Sequence, residues 1–348
     1  MGPLAFVLLF LTATASASLR SHDSPATGVT FTDYMSYEEV VAYLRELQLR
    51  YPRLVRVGSM GRSVQGRDLV FARVSRGSAK HRDVMLVDAL THARAWITLP
   101  AVLYFLQQLV ERHQENAALL QSLDFVVVPV LNPDGYEYSR DKERLWRKNR
   151  ARTYNESCIG VDLNRNYDFH WADFLTSSEP PTFLTASNDS CANTYAGPHA
   201  ASEPETQSYQ RFIRELNVKG RLKMFVNLSA PRQGISFPWG YSSAAPNVSD
   251  FSELSAIGKA ASDAAVKAGA QPYRVQNLAA NYVATGVVTD WARGVAGVDK
   301  SFLMELPSGG SDDLLGFDVP VSQILPISRQ VFEAFKVFAE CAKGKPSQ

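Results

Sequence analysis

The sequence predicts an α/β fold: one domain with a mostly parallel, mixed sheet and helices on both faces. Two observations carry this. Helical and extended patterns alternate over residues 37–342, the order that builds a parallel sheet with crossover helices. Two extended stretches, "VMLVDA" from Val84 and "FVVVPV" from Phe125, are apolar at every position but Asp88 instead of alternating. That suits strands covered on both faces. The chain has 348 residues, 45% of them hydrophobic, enough for one large core or two modest ones.

The elements follow in order. "SYEEVVAYLRELQLRYP" opens with Ser36 and Glu39 at capping-box spacing and ends at Pro52. "LVRVGSMGRSVQGRDLVFARV" reads as two strands joined by a glycine-punctuated turn. The strand from Val84 stops at "THARAW", and a helix starts at Thr98 with Pro100 in its first turn and apolar positions recurring through Leu109. "FVVVPVLNP" is a second buried strand, 203–216 a helix, "LKMFVNLSA" extended, and "FSELSAIGKAASDAAVKAG" an amphipathic helix. "SFLMELP" is a strand, and "ISRQVFEAFKVFAECAK" a closing helix. Residues 132–202 read as one long irregular region rich in Tyr, Trp, Asn and Arg. Such length outside regular elements is usually functional. Ligands are expected over the C-terminal ends of the strands, where His92 and Arg94 fall.

A net charge of +1 gives no electrostatic reason to expect nucleic acid or an anionic membrane as partner. "MGPLAFVLLFLTATASASLR" reads as a secretory signal over residues 1–18: its apolar run is too short to span a bilayer, and small-x-small cleavage patterns follow. The expected location is therefore extracellular. Cys158 and Cys191 flank a polar segment and would close it in an oxidising compartment, leaving Cys341 alone on the last helix. N-x-S sequons stand at Asn155, Asn188, Asn227 and Asn247. Glycans are expected at Asn155, Asn188 and Asn247, in polar segments, and none at Asn227 on a buried strand.

"VLNPDGYEYSRDKERLWRKNR", "GVDLNRNYDFHW", "SCANTYAGPHAASEPET", "FPWGYSS", "TGVVTDWA" and "FLMELP" occur in this order. Together they resemble the zinc carboxypeptidases of the pancreatic A/B type, along nearly the whole chain. The resemblance implies a carboxypeptidase-like domain at 30–345 around an eight-stranded sheet, and a peptidase removing C-terminal residues. Secretory members generally carry a folded pro-segment. Only about thirty residues precede the domain, so no pro-domain is expected.

The family's zinc is held by a His-x-x-Glu pair and a later histidine, leaving one position open for the water it activates. His92 matches the first ligand. The Glu position is Ala95, and the later His position is Ser229. Ala95 has no donor atom, and a neutral serine hydroxyl is a poor zinc ligand, so no cofactor is expected. His170 is read as a loop or surface histidine near the mouth of the site.

The rest of the family's set is present by resemblance. Arg147 matches the arginine that stabilises the oxyanion, and Glu305 the general base. Asn164 and Arg165 match the pair that grips the substrate's terminal carboxylate, and Tyr282 the tyrosine that closes over it. Arg94 matches an arginine contacting substrate upstream of the scissile bond. Asp162 matches the carboxylate that hydrogen-bonds the first zinc histidine. Thr289 takes the specificity position, and being neutral it favours neutral or apolar C-terminal residues. With no metal, Arg94 or Arg147 is expected to become the partner of Glu305.

The leading expectation is a secreted, monomeric pseudoenzyme that keeps a site for peptide or protein C-termini, bound by charge-assisted hydrogen bonds. The alternative is an active zinc carboxypeptidase with a ligand set not evident in the sequence. A third reading is an interaction protein whose cleft is vestigial.

Overall fold

The computed structural model describes residues 29–77, 82–121, 123–176, 182, 184–310 and 315–343. The expected signal at 1–18 lies outside them. The elements in chain order are α1 (Tyr37–Arg50), β1 (Val55–Arg62), β2 (Asp68–Val74), β3 (Asp83–Asp88), α2 (Thr98–Val110), β4 (Leu123–Val128), α3 (Pro133–Asp141) and α4 (Pro204–Leu216). They continue with β5 (Leu222–Ser229), β6 (Gly234–Phe237), α5 (Phe251–Lys267), β7 (Arg274–Asn277), α6 (Leu278–Asn281), α7 (Val288–Gly294), β8 (Ser301–Glu305) and α8 (Ile324–Ala342).

The strands form one eight-stranded sheet in the order β1-β2-β4-β3-β5-β8-β6-β7. Its centre, β4-β3-β5-β8, is parallel; antiparallel pairs β1/β2, β2/β4 and β6/β8 and the parallel pair β6/β7 complete it. β3 shows why a continuously apolar strand is needed. Met85 and Val87 pack with α1, α2, α5 and α8 on one face. Val84 and Leu86 pack with α4 and α7 on the other. Successive side chains point to opposite faces, so both faces must be apolar.

The capping box of α1 forms: Ser36 accepts from the Glu39 amide, and the Glu39 carboxylate accepts from the Ser36 amide. The region 132–202 is less irregular than the sequence suggests, because α3 occupies its start. Asn132 caps that helix by accepting from Gly135 N at 3.0 Å, with Pro133 in the first turn. The Asn-Pro-Asp start was the missed signal. Beyond α3, the residues up to α4 carry only short 3-10 turns among the described residues.

A disulfide joins Cys158 and Cys191 and ties this region to itself. Cys341 is a free, half-buried thiol. Asn155, Asn188 and Asn247 are exposed, whereas Asn227 is 1% exposed inside β5. No helix among the described residues is long and apolar enough to cross a membrane.

Candidate active site

Three neighbouring strand ends carry the site. The segment after β3 holds His92, Arg94 and Ala95. Ser229 ends β5 and lies in register with Glu305, which ends β8. The irregular region brings Arg147 and Asn164 over these ends, and the segment after α6 brings Tyr282. His92, Arg94, Arg147, Asn164, Tyr282 and Glu305 line one cavity with Ser229. Its volume, ≈ 40 Å³, holds a few waters or a carboxylate. Asp162, Arg165 and Ala95 sit behind this wall. Thr289 does too, 3% exposed on α7, its carbonyl accepting from the Ser301 hydroxyl at 3.0 Å.

Asp162 is the hub. Its Oδ1 lies 2.9 Å from His92 Nε2, and its Oδ2 accepts from Arg147 Nε at 2.9 Å with the charged Nη2 2.8 Å away. Oδ1 also accepts from the Asn164 amide at 3.0 Å. Burial, the largest single effect, would raise this carboxyl, but Arg147, His92 and Arg165 together outweigh it and hold it well below the usual range. Burial, with Arg147 adding, pushes His92 down to about 4. The ring is therefore neutral at pH 7. Facing a carboxylate, Nε2 carries the proton and donates, which leaves the Nδ1 lone pair for the cavity side.

Arg165 is 1% exposed, and its guanidinium is partly spent on carbonyls. Nε and Nη2 donate to Leu184 O at 3.1 and 2.6 Å, and Nη1 to Asn164 O at 2.6 Å. Asn164 Oδ1 accepts from Val288 N at 2.9 Å, so its NH2 group is left for a ligand. Asp290, beside Thr289, is also buried. It accepts from the Gly240 and Tyr241 amides and braces the Pro-Trp-Gly-Tyr segment.

Glu305 is not partnered as expected. Arg147 is committed to Asp162, and Arg94 packs its guanidinium over Phe317, 4.4 Å from the ring centroid. Arg94 Nε is buried without a hydrogen bond, and burial, with Arg147 adding, pushes its pKa down to about 9. The nearest hydrogen bond to Glu305 is a long one, from Asn281 Nδ2 at 3.4 Å. Burial pushes the Glu305 carboxyl up to about 7, opposed by the charges of Arg232, Arg147 and Arg165 in that order. Arg232 and Phe317 line the cavity and were missed in the sequence. A residue three places past a ligand position carries no motif of its own. His170 lies outside the cavity lining, stacked on Tyr241 with centroids 3.6 Å apart.

The donor set does not fit a zinc ion. Ala95 is 1% exposed, its methyl group part of the main apolar core. Ser229 offers only a hydroxyl. Among the described residues there is no group of three His, Cys, Asp or Glu placed to hold a metal. One imidazole does not replace three ligands.

A parallel-centred sheet with a cluster of cations, a carboxylate and a tyrosine over its strand ends defines the carboxypeptidase class. The chain belongs to the zinc carboxypeptidase family, whose model matches residues 40–334. It is 32% identical to carboxypeptidase B of Astacus astacus over 90% of this chain and 98% of that one. It is also 32% identical to carboxypeptidase A2 of Mus musculus, over 92% of this chain and 73% of that one. The crystal structure of carboxypeptidase A from Helicoverpa armigera superposes with a TM-score of 0.83 at 30% identity, covering 94% of this chain and 78% of that chain.

Proposed function

We propose that this chain is a secreted, metal-free member of its family that binds peptide C-termini without cleaving them. The observation that carries the reading is the exchange at the ligand positions. Ala95 is packed into the core and Ser229 ends β5, while the cationic groups and Tyr282 still surround one cavity. Without a metal to activate water, Glu305 has no nucleophile to generate. A terminal carboxylate can still be held by Asn164 and Tyr282, with Arg165 behind them supplying charge. The neutral Thr289 fits neutral or apolar terminal residues, and a monomer suffices.

Two measurements test this. Elemental mass spectrometry after equilibration with micromolar zinc and desalting should find near-zero metal. The unmodified protein should bind a free-carboxylate peptide and not its C-terminal amide. Equal binding of both forms sinks the carboxylate role. Glu305, Arg147 and Tyr282 sharing a cavity with His92 favour a second reading, an active zinc carboxypeptidase. About one zinc per chain, lost on His92→Ala, with chelator-sensitive release of C-terminal residues, would establish that reading instead.

A further inference from the structure

Glu305 is the one carboxylate lining the cavity among the described residues. A buried carboxylate at a strand end is costly when ionised unless a cation compensates it. In a metal-loaded relative the dication can serve. Here the metal positions are Ala95 and Ser229, so the compensation must come from the chain.

The backbone places one arginine for this. β5 and β6 flank β8 on its two sides, with Ser229 in register with Glu305 on one side and Gly234 on the other. The connection between β5 and β6 is thus a short bridge over the end of β8. Two hydrogen bonds clamp it there: Leu306 N to Ser229 O at 2.8 Å, and Gln233 N to Leu306 O at 3.3 Å. Arg232 lies inside this clamp. Its side chain lines the same cavity as Glu305, and its guanidinium lies 5.4 Å from the Tyr282 ring centroid.

We infer that Arg232 is the resident cation of this site: clamped across the end of β8, it takes over the charge the metal would supply opposite Glu305, and it opposes metal binding in its own right. The loss of zinc is then locked by a cation as well as by missing ligands. A guanidinium lining this cavity also presents N–H donors, so it can receive the last peptide carbonyl of a bound C-terminus. This inference rests on the metal site being lost, and not on peptide binding.

The test compares Ser229→His alone with Ser229→His plus Arg232→Ser, leaving the core position Ala95 untouched. Zinc affinity is read by competition with a chromophoric chelator. Removing the guanidinium should tighten zinc binding at least about tenfold, since a unit charge a few ångströms from a dication is strongly repulsive in a buried site. Equal affinity in the two variants overturns the inference. If neither takes up zinc, a stability cycle on the otherwise unmodified chain decides. At about pH 8, Arg232→Ser should lower the folding equilibrium constant at least about tenfold, and added Glu305→Gln should recover most of that loss. The same loss with and without the Glu305 carboxylate refutes the pairing. Neither arm uses a peptide. A negative result in the free-versus-amidated comparison therefore leaves this inference standing, and the reverse also holds.

Discussion

Arg147 holds Asp162 through two nitrogens, Nε at 2.9 Å and Nη2 at 2.8 Å, both on Oδ2 of a carboxylate with no solvent exposure. An arginine whose family role is to meet a developing oxyanion is therefore also the counter-ion of a buried acid. Losing it leaves Asp162 charged and uncompensated. Arg147→Met should destabilise the chain by about 3–5 kcal/mol, the usual cost of breaking a buried pair. Adding Asp162→Asn should recover part of this. Urea denaturation of the three variants measures it, and a loss below about 1 kcal/mol, the surface-pair range, would show that the pair is solvated.

The same hub fixes the state of His92. Burial, with the Arg147 charge, sets its pKa at about 4, against about 6.5 in an unfolded chain. The unfolded state thus takes up a proton first as pH falls. The contribution of neutral His92 is fully present above the unfolded value and is lost between it and the folded one. An NMR titration of the ring should show His92 neutral at about pH 5.5, where an ordinary histidine is mostly charged. A midpoint near 6.5 would mean that the site is open to water.

Glu305 behaves with the opposite sign. Its folded pKa of about 7 is raised by burial, against about 4.3 unfolded. Stability is fully present below the unfolded value and falls as pH rises through the folded one. Glu305→Gln removes this titration at constant shape. The variant should lie close to the parent near pH 4.5 and exceed it by about 3–4 kcal/mol at about pH 8. A difference independent of pH would rule out Glu305 as the titrating group.

How much of this was legible in the sequence depends on range. Helix α1 declared itself through Ser36 and Glu39, and β3 through an apolar run, because those signals are local and periodic. The short strands β6 and β7 did not: "GISF" and "RVQN" are four residues each and are fixed by their neighbours in the sheet. In the site, motif order located Asp162, Arg147 and Glu305. It could not tell that Arg147 spends its charge on Asp162, or that Arg165 donates to Leu184 O, because those partners are distant in sequence. Arg232 was invisible for the same reason: the pairing of β5, β8 and β6 brings it into the same cavity lining as Glu305.

The Cys158–Cys191 bond closes a segment with a sequence separation of 33. That segment holds Asp162, Asn164 and Arg165, yet its described residues contain no long helix or strand. Loop-closure entropy assigns such a bridge about 3–4 kcal/mol. Replacing both cysteines by alanine should cost that much in denaturant unfolding and should weaken peptide binding. Unchanged stability would mean that the His92–Asp162–Arg147 contacts alone order the segment.

Tyr282 offers the least disruptive probe of ligand binding. Its ring is half-buried beside the guanidinium of Arg232 and lines the cavity with Asn164 and Glu305. Burial, with Glu305 adding, raises the phenol well above its ordinary value, so it stays protonated and can only approach a carboxylate as a donor. Tyr282→Phe removes one oxygen and leaves the ring packing in place. A hydrogen bond to a charged group contributes about 1.5–3 kcal/mol, so affinity for a free-carboxylate peptide should fall at least about tenfold. Binding of the amidated peptide, weak from the start, should not change. Calorimetric titration of both peptides against both proteins separates the outcomes. Equal loss for the two peptides would assign Tyr282 to packing, and no loss for either would remove it from the carboxylate site.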